Sequence, residues 1–311
     1  MSLLIQYTLL FASVLILVAL GGCFSEHSGV INIGLEGIMV MGALGGALMM
    51  KYLPAGTAAP VLLLVVVLAS VAVGTVYSLL LAVAAVNFKA DQTIVGTAMN
   101  MLGTAAATVI VKAINTAESP DNVSSTIQYI SAKKAFLVNI GGFEFNWFML
   151  ITLVVLVCSY VLLYKTRFGL RLCACGEHPQ AADSVGINVY KMRYAGVLIS
   201  GALGGLGGIV YITAGVSEWK FEYGVAGFGF LALAVMIFGQ WKPFRILAAT
   251  LFFGFAVTMA QISMLLPSFA SVPPLALKVF PYVVTMLALV VFSKSSQAPR
   301  AEGKFFEYKK T

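Results

Sequence analysis

Charged side chains are scarce in this chain. They occupy 10% of its 311 positions, whereas a soluble domain usually carries about a quarter. Hydrophobic residues occupy 60% of the chain, and several apolar runs approach or exceed the roughly 20 residues that cross a bilayer as a helix. These runs are continuous rather than short and alternating, which argues against a transmembrane β-barrel. The composition therefore predicts an all-α, polytopic membrane protein.

Side chains for catalysis, metal binding and phosphate binding are equally few. The two histidines, His27 and His178, fall in predicted loops, and the absence of an H-E-x-x-H pattern or paired intramembrane aspartates argues against an intramembrane enzyme. The four cysteines include no C-x-x-C pair, so we interpret them as packing residues rather than metal ligands. No G-x-x-x-x-G-K-S/T segment occurs, which excludes a phosphate-binding loop of that kind. We therefore expect a chain that is not an enzyme and binds no cofactor or metal itself.

No lysine or arginine precedes the first apolar run, residues 2–22. A secretory signal peptide begins with a basic region, so we interpret this run as the first membrane span.

The apolar runs predict a bundle of about nine (8–10) membrane-spanning helices within one domain, residues 1–311. The second and seventh runs are glycine-rich or short, which makes each a candidate for a broken or re-entrant helix. The larger predicted connections are an outer loop at 112–145, which we expect to form a small ordered cap, an inner loop at 165–193, and an inner tail at 294–311. The predicted spans are residues 3–21, 30–50, 58–86, 92–111, 146–164, 194–213, 225–239, 246–266 and 276–293.

The basic residues are distributed unevenly between the two sides of this bundle. Of the 19 lysines and arginines, 13 fall on one side and 6 on the other. Because basic loops stay in the cytoplasm, this asymmetry predicts an outer N-terminus and a cytoplasmic C-terminus. The net charge of +7 is then a feature of membrane topology, and we expect no nucleic-acid partner.

The sequence GALGG occurs twice, at 42–46 and 201–205. An internal repeat and a chance recurrence both remain open. In either case, Gly42 with Gly46 and Gly204 with Gly208 are pairs of small residues four apart, which predict close approach of helix backbones.

The inner loop contains a predicted helix of about two turns. Pro179 suits its first position and Gly186 suits its end. A helix this short is marginal in water by itself, so it needs a surface to dock on. Ala181 and Ala182 are small enough to enter a groove, and Val185 adds apolar area. The sequence leaves open whether that surface belongs to a soluble partner or to the bundle itself.

The segment FGLRLCACGEHPQAADSVGINVYKMRYAGVLISGALGGLGG resembles the coupling region of ABC importer permeases, in the superfamily that handles branched-chain amino acids, simple sugars and nucleosides. The resemblance implies a permease fold with a short cytoplasmic coupling helix that contacts separate ATPase subunits, which carry ATP and Mg. The residues to which it assigns this contact are Glu177, His178, Pro179, Ala181, Ala182, Val185 and Gly186.

Three further segments, SGVINIGLEGIMVMGALGG, DQTIVGTAMNMLG and GFGFLALAVMIFGQWKPF, resemble the nucleoside branch of that superfamily. The resemblance implies a permease subunit of the bacterial plasma membrane that forms half of a translocation path. Its implied partners are a second, paralogous permease, an extracytoplasmic nucleoside-binding lipoprotein and membrane lipids. A permease for simple sugars or branched-chain amino acids is the alternative.

Polar residues within the spans are rare and therefore candidates for the path. Glu36 has two interpretations: it pairs with a base or caps a neighbouring helix, or it lines or gates the path. It is also the one clear acid for an ion-coupled secondary transporter, the less favoured function. Transport of a nucleoside requires carboxamides and aromatic rings, for which the candidates are Asn32, Asn100, Phe228 and Phe230.

Overall fold

The structure, a computed structural model, describes residues 2–54, 56–128, 136–140, 143–213, 218–262 and 298–306, with a few single positions between 279 and 290. Helices dominate these residues. In chain order they are α1 (Ser2–His27), α2 (Leu35–Tyr52), α3 (Ala59–Ala82), α4 (Gln92–Glu118), α5 (Trp147–Lys165), α6 (Arg167–Glu177), α7 (Pro179–Ser184), α8 (Val189–Thr213), α9 (Phe228–Phe238) and α10 (Pro243–Ile262).

Seven stretches of the described residues are long and apolar enough to cross a membrane as helices, one of which, Phe221–Phe238, joins α9 to the residues before it. One further predicted span corresponds to α2, which carries Glu36 and Lys51 and is buried along most of its length. The predicted ninth span, 276–293, lies outside the described residues except for five positions, which are helical. The all-α membrane class is therefore confirmed, while the count of about nine is approximate.

The centre of the bundle is built from α1, α2, α3 and α8. Helix α8 packs against the other three, and α1 is apolar all round because it is enclosed by protein. The two GALGG segments meet here: a side-chain carbon on Gly42 would overlap the backbone of Gly205, and one on Gly205 would overlap the backbone of α3 at Ser70. The predicted close approach of helix backbones is confirmed for Gly42 and for Gly208, which lies against the Met39 backbone, whereas Gly46 and Gly204 pack against side chains.

Both candidate segments contain irregular backbone, although α2 itself runs unbroken from Leu35 to Tyr52. Residues 28–34 are irregular and precede α2, and α9 has only 11 residues. At 1.5 Å per residue α9 spans about 16 Å, roughly half the hydrocarbon thickness. The irregular segment before it, residues 221–227, therefore lies within the membrane, where non-helical backbone is tolerated only beside protein or water.

Small antiparallel strand pairs lie at the end of the bundle that the charge distribution predicts to be outer. Strand β1 (Thr126–Gln128) pairs with β4 (Glu218–Lys220), and β2 (Leu137–Ile140) pairs with β3 (Phe143–Asn146). Helix α4 continues to Glu118, so the outer loop starts seven residues later than the predicted 112. The reason is that Ala113 to Glu118 favour helix and continue the turns of the apolar segment.

At the opposite end of the bundle, a π-helical turn (Val83–Asn87) closes α3, and residues 298–306 of the tail fold back on the bundle. Ala301 and Phe306 are buried. The Ala301 N–H donates to the Gly176 carbonyl at 2.8 Å, and the Gly303 N–H donates to the Gly29 carbonyl at 3.2 Å. The tail thus joins the end of α6 to the irregular segment before α2.

Candidate functional site

The Glu36 carboxylate lies at the meeting point of the two broken helices. It belongs to the first turn of α2, and it accepts hydrogen bonds from the N–H groups of Gly227 at 2.8 Å and Gly229 at 2.7 Å. Those N–H groups open α9, and the first N–H groups of a helix have no partner within the helix. Of the interpretations drawn from the sequence, the cap on a neighbouring helix is the contact that the structure shows.

Asn100 caps the start of α2, as Glu36 caps the start of α9. Its Oδ1 accepts from the Gly37 N–H at 2.8 Å, and its Nδ2 donates to the Ile33 carbonyl at 2.9 Å. No side chain of α2's own N-terminus caps it, so this carboxamide on α4 closes the break from outside. Gln92 extends the same pattern by accepting from the Ile31 N–H at 2.7 Å. Side chains of α4 therefore satisfy the backbone that a broken helix exposes.

Asn32 lies deeper than Asn100. It is fully buried, and its Nδ2 donates to the Ser200 hydroxyl of α8 at 2.8 Å. Its Oδ1 has no partner among the described residues. Asn32 therefore ties the irregular segment to α8 and keeps one acceptor unused.

Glycines let the α9 segment approach Glu36. A side-chain carbon on Gly229 would lie 2.5 Å from the Glu36 nitrogen, closer than any real side chain allows. Gly224 has φ 59° and ψ −140°, a conformation that is in practice restricted to glycine. Sequence reasoning missed these glycines and Gln92, and the run GVAGFGF was the signal for the glycines.

The two candidate aromatic residues lie in different surroundings. Phe228 is buried and packs against Tyr211 and Phe11, with ring centroids 4.6 Å and 5.7 Å away. Phe230 is 50% exposed. Of the two, only Phe230 presents a ring surface that a ligand could contact without rearrangement.

Helix α7 is the short helix predicted in the inner loop. It begins at Pro179, and Gly186 follows it at φ 83°, in the left-handed region that suits a helix end. The Ile187 N–H donates to the Ala182 carbonyl at 3.1 Å, which completes the termination. The structure ends the helix at Ser184, two residues before the predicted limit.

The two faces of α7 differ in exposure. Pro179 and Ala182 are buried, and Ala182 packs with Cys175, Val189 and Phe306. The expectation that Ala182 enters a partner's groove is therefore wrong, because the tail and the start of α8 cover it. The exposed candidate residues of this region are Glu177, His178, Ala181, Val185 and Gly186.

Ala181 of α7 and Val185, the first residue after the helix, are both exposed. They are four positions apart in the chain, and Val185 is 75% exposed. This exposed apolar side chain follows directly on a helix whose other face is buried against its own chain. This arrangement answers the question that the sequence left open: α7 docks on the bundle with one face and offers the other.

The chain is similar in sequence to known transport permeases. The family model described as the branched-chain amino acid transport system permease component matches residues 4–289. The chain is 43% identical to the guanosine ABC transporter permease protein NupQ of Bacillus subtilis, over 97% of this chain and 96% of that protein. It is 36% identical to the nucleoside ABC transporter permease protein NupC of Lactococcus lactis, over 97% and 96%. A second Lactococcus lactis protein, the nucleoside ABC transporter permease protein NupB, is 27% identical over 58% of this chain and 50% of its own length. This multi-pass membrane protein therefore belongs to the family of branched-chain amino acid transport system permease components.

Proposed function

We propose that the chain is a permease subunit of an ATP-driven importer of nucleosides. The observation that carries this proposal is α7, a short helix whose buried face is held by the chain, with Ala181 and the following Val185 exposed. The near full-length similarity to permeases named for guanosine and nucleosides supports the substrate class.

The partners follow from the same reasoning. ATP and Mg bind to separate ATPase subunits, which contact α7 from the cytoplasm. Lactococcus lactis has two nucleoside permeases similar to this chain, NupC and NupB, which supports a second, paralogous permease as the other half of the path. An extracytoplasmic binding lipoprotein delivers the nucleoside. The chain acts as one transmembrane domain of the bacterial plasma membrane, with its N-terminus outside and its C-terminus in the cytoplasm.

A continuous set of contacts connects α7 with the broken helices. The Phe306 side chain packs on Ala182 of α7, and the Gly303 N–H donates to the Gly29 carbonyl. Gly29 begins the irregular segment that leads to Glu36, and Glu36 holds the start of α9. Movement of α7 by an ATPase would therefore be transmitted to the segments that meet at Glu36. The two-state element is the bundle, biased by contacts that differ between the ATP-bound and ATP-free partners.

Charge or bulk on the outward face of α7 tests the docking. We expect Ala181→Arg and Val185→Asp each to reduce ATPase copurification and ATP-dependent uptake at least tenfold, because each places a charge in a closely packed contact, at a cost of about 1.4 kcal/mol or more per tenfold loss. The control is Val123→Asp, which is 67% exposed in the outer loop and should leave both unchanged. Normal copurification and uptake in the α7 variants would remove the basis of the proposal.

Substrate class is tested on the assembled importer. Transport of tritiated guanosine by the reconstituted complex, with ATP and the binding protein, is expected, whereas glucose and leucine should not compete. Competition by a simple sugar or a branched-chain amino acid, with no nucleoside uptake, would favour the alternative permease. Uptake by this chain alone in an ion gradient would instead favour a secondary transporter.

A further inference from the structure

Helix α4 carries a row of polar side chains along one edge of its uncovered surface. Successive members are three or four positions apart, so they form a continuous line along the helix. Each of them is exposed or half-buried. They are Thr93, Thr97, Asn100, Thr104, Thr108 and Lys112.

The row is as long as the membrane is thick. From Thr93 to Lys112 the helix rises about 28 Å at 1.5 Å per residue, against about 30 Å for the hydrocarbon core. Lys112 reaches Glu222, 4.0 Å away, and both side chains are partly exposed at the outer end. A polar line of this length facing lipid would place hydroxyl oxygens and an ammonium in hydrocarbon, which is costly.

The exposed surfaces of α3 and α5 can be compared with the α4 row. On α3 every exposed residue is apolar, and Thr75 is the one polar residue among its half-buried positions. On α5 the exposed residues are apolar from Trp147 to Val161, and only Tyr164 and Lys165 at the inner end are polar. These surfaces are suited to lipid, whereas the α4 row is not.

Glu36 lies beside the middle of the row. A side-chain carbon added at Gly224 would be 3.5 Å from the Thr104 hydroxyl and 3.7 Å from the Glu36 Oε1. The row, the carboxylate and the irregular segment before α9 therefore share one location. Exposed Phe230 follows on the same segment, at the start of α9.

The hydroxyls of the row are arranged as acceptors. Thr97, Thr104 and Thr108 each donate to the carbonyl four residues earlier, at 2.8, 3.2 and 2.8 Å. With their protons used within the helix, the oxygens keep free lone pairs. They can accept from ligands that carry several O–H and N–H groups, without binding any one of them tightly.

We propose that the α4 row, with Glu36 and the segment at 222–230, forms this subunit's wall of the translocation path, and that it accepts hydrogen bonds from an uncharged ligand rich in donors, such as the ribose hydroxyls of a nucleoside. The same edge of α4 faces the second permease subunit, which supplies the opposite wall. Lys112 and Glu222 stand at the outer mouth. This inference rests on the proposed function and adds the residues and chemistry of the path.

Cysteine accessibility tests the wall directly in the complete importer. We expect Thr97→Cys, Thr104→Cys and Thr108→Cys to react with a membrane-impermeant cationic thiosulfonate at least tenfold faster than the wild-type chain, and guanosine to slow the reaction. The wild-type chain is the control because its exposed Cys158 lies on the apolar surface of α5. Reaction no faster than wild type at all three positions would place the row against lipid and overturn the proposal.

Removal of a hydroxyl tests the acceptor role. We expect Thr104→Val to raise the KM for guanosine about fivefold, for one hydrogen bond of about 1 kcal/mol, while ATPase copurification remains unchanged. The matched control is Thr75→Val on α3, since Thr75 makes the same bond four residues back, to Val71 at 2.7 Å. Equal KM values for the two variants would overturn the acceptor role. Absence of ATP-dependent uptake in the wild-type complex would instead contradict the proposed function.

Discussion

At the scale of single residues, Glu36 shows how an acid is accommodated inside an apolar bundle. A carboxylate has two acceptor oxygens and no donor, so it complements two N–H groups at the start of α9 without a basic partner. The positive end of the helix dipole favours the same arrangement. The acid is therefore a structural requirement of the break as well as a neighbour of the proposed path.

Glu36→Gln tests how much the hydrogen bonds from Glu36 to the start of α9 contribute to stability. The amide keeps one acceptor but turns an NH₂ group toward an N–H donor, so we expect a loss of about 1.5–3 kcal/mol in stability, read as a lower Tm of the detergent-solubilised complex. The control is Glu118→Gln, because the Glu118 carboxylate pairs with Lys51 at 2.8 Å but is about half exposed, and such surface pairs contribute about 0–1 kcal/mol. Equal Tm values for the two variants would show that the cap contributes little.

The residue scale also shows where sequence reasoning stops. That Glu36 would cap a helix was one of the open interpretations, since a buried acid needs donors. Its partners could not be read from the sequence, because Gly227 lies 191 positions away. Ala182 was misassigned for the same reason: it is buried in a cluster that includes Phe306 of the tail, which lies far away in the sequence.

At the scale of elements, the short helix and both breaks were predictable because their signals are local. Proline and glycine positions mark the ends of α7, and short glycine-rich apolar runs mark the breaks. The tail was predicted only as an inner segment, since its sequence is polar and basic. Its docking depends on two residues, Ala301 and Phe306, that find buried positions on distant elements.

The tail should respond to pH through Glu302. Burial raises the pKa of the Glu302 carboxyl to about 7, and its hydrogen bond with Glu26 opposes that rise. Because this pKa is raised, ionisation disfavours the docked tail. The penalty is absent below the ordinary value of about 4.5, grows as the pH rises, and is complete above 7.

We therefore expect the amide-exchange protection of residues 300–304 to fall by up to about tenfold between pH 6 and pH 8. Glu302→Gln should abolish that fall, since the amide does not titrate. The reference is Glu222→Gln in the same experiment, because Glu222 lies at the outer end, far from the tail. A fall of equal size in the Glu302→Gln variant would assign the pH response to another group.

At the scale of the whole molecule, the uncovered surface divides into two kinds. The exposed faces of α3 and α5 are apolar, while α4 carries a polar row that ends at Lys112. Average hydropathy and span prediction could not distinguish these faces, because they describe each helix as a whole. The distinction requires knowing which side of α4 the rest of the bundle leaves open.

The glycine contacts of the central helices give a prediction at this scale. Gly42→Ala gains about 1 kcal/mol in helix propensity, but its methyl group would overlap the Gly205 backbone. Forced overlap in a packed core typically costs about 1–3 kcal/mol. We therefore expect a lower Tm and reduced uptake. Gly56→Ala is the control, since no atom lies within 4 Å of its added carbon. A Tm of Gly42→Ala equal to that of Gly56→Ala would show that α2 and α8 can move apart at little cost.

Contact of backbone on backbone also bears on how the molecule can change shape. Helices α2, α3 and α8 meet with no intervening side chains at Gly42, Gly74 and Gly205, so there is no rotamer that could flip to let one slide past another. These three helices should therefore move together as one rigid body. The flexible positions are then the irregular segments at 28–34 and 221–227. Rotation about these segments would move the edge of the three-helix unit and leave the contacts inside it unchanged.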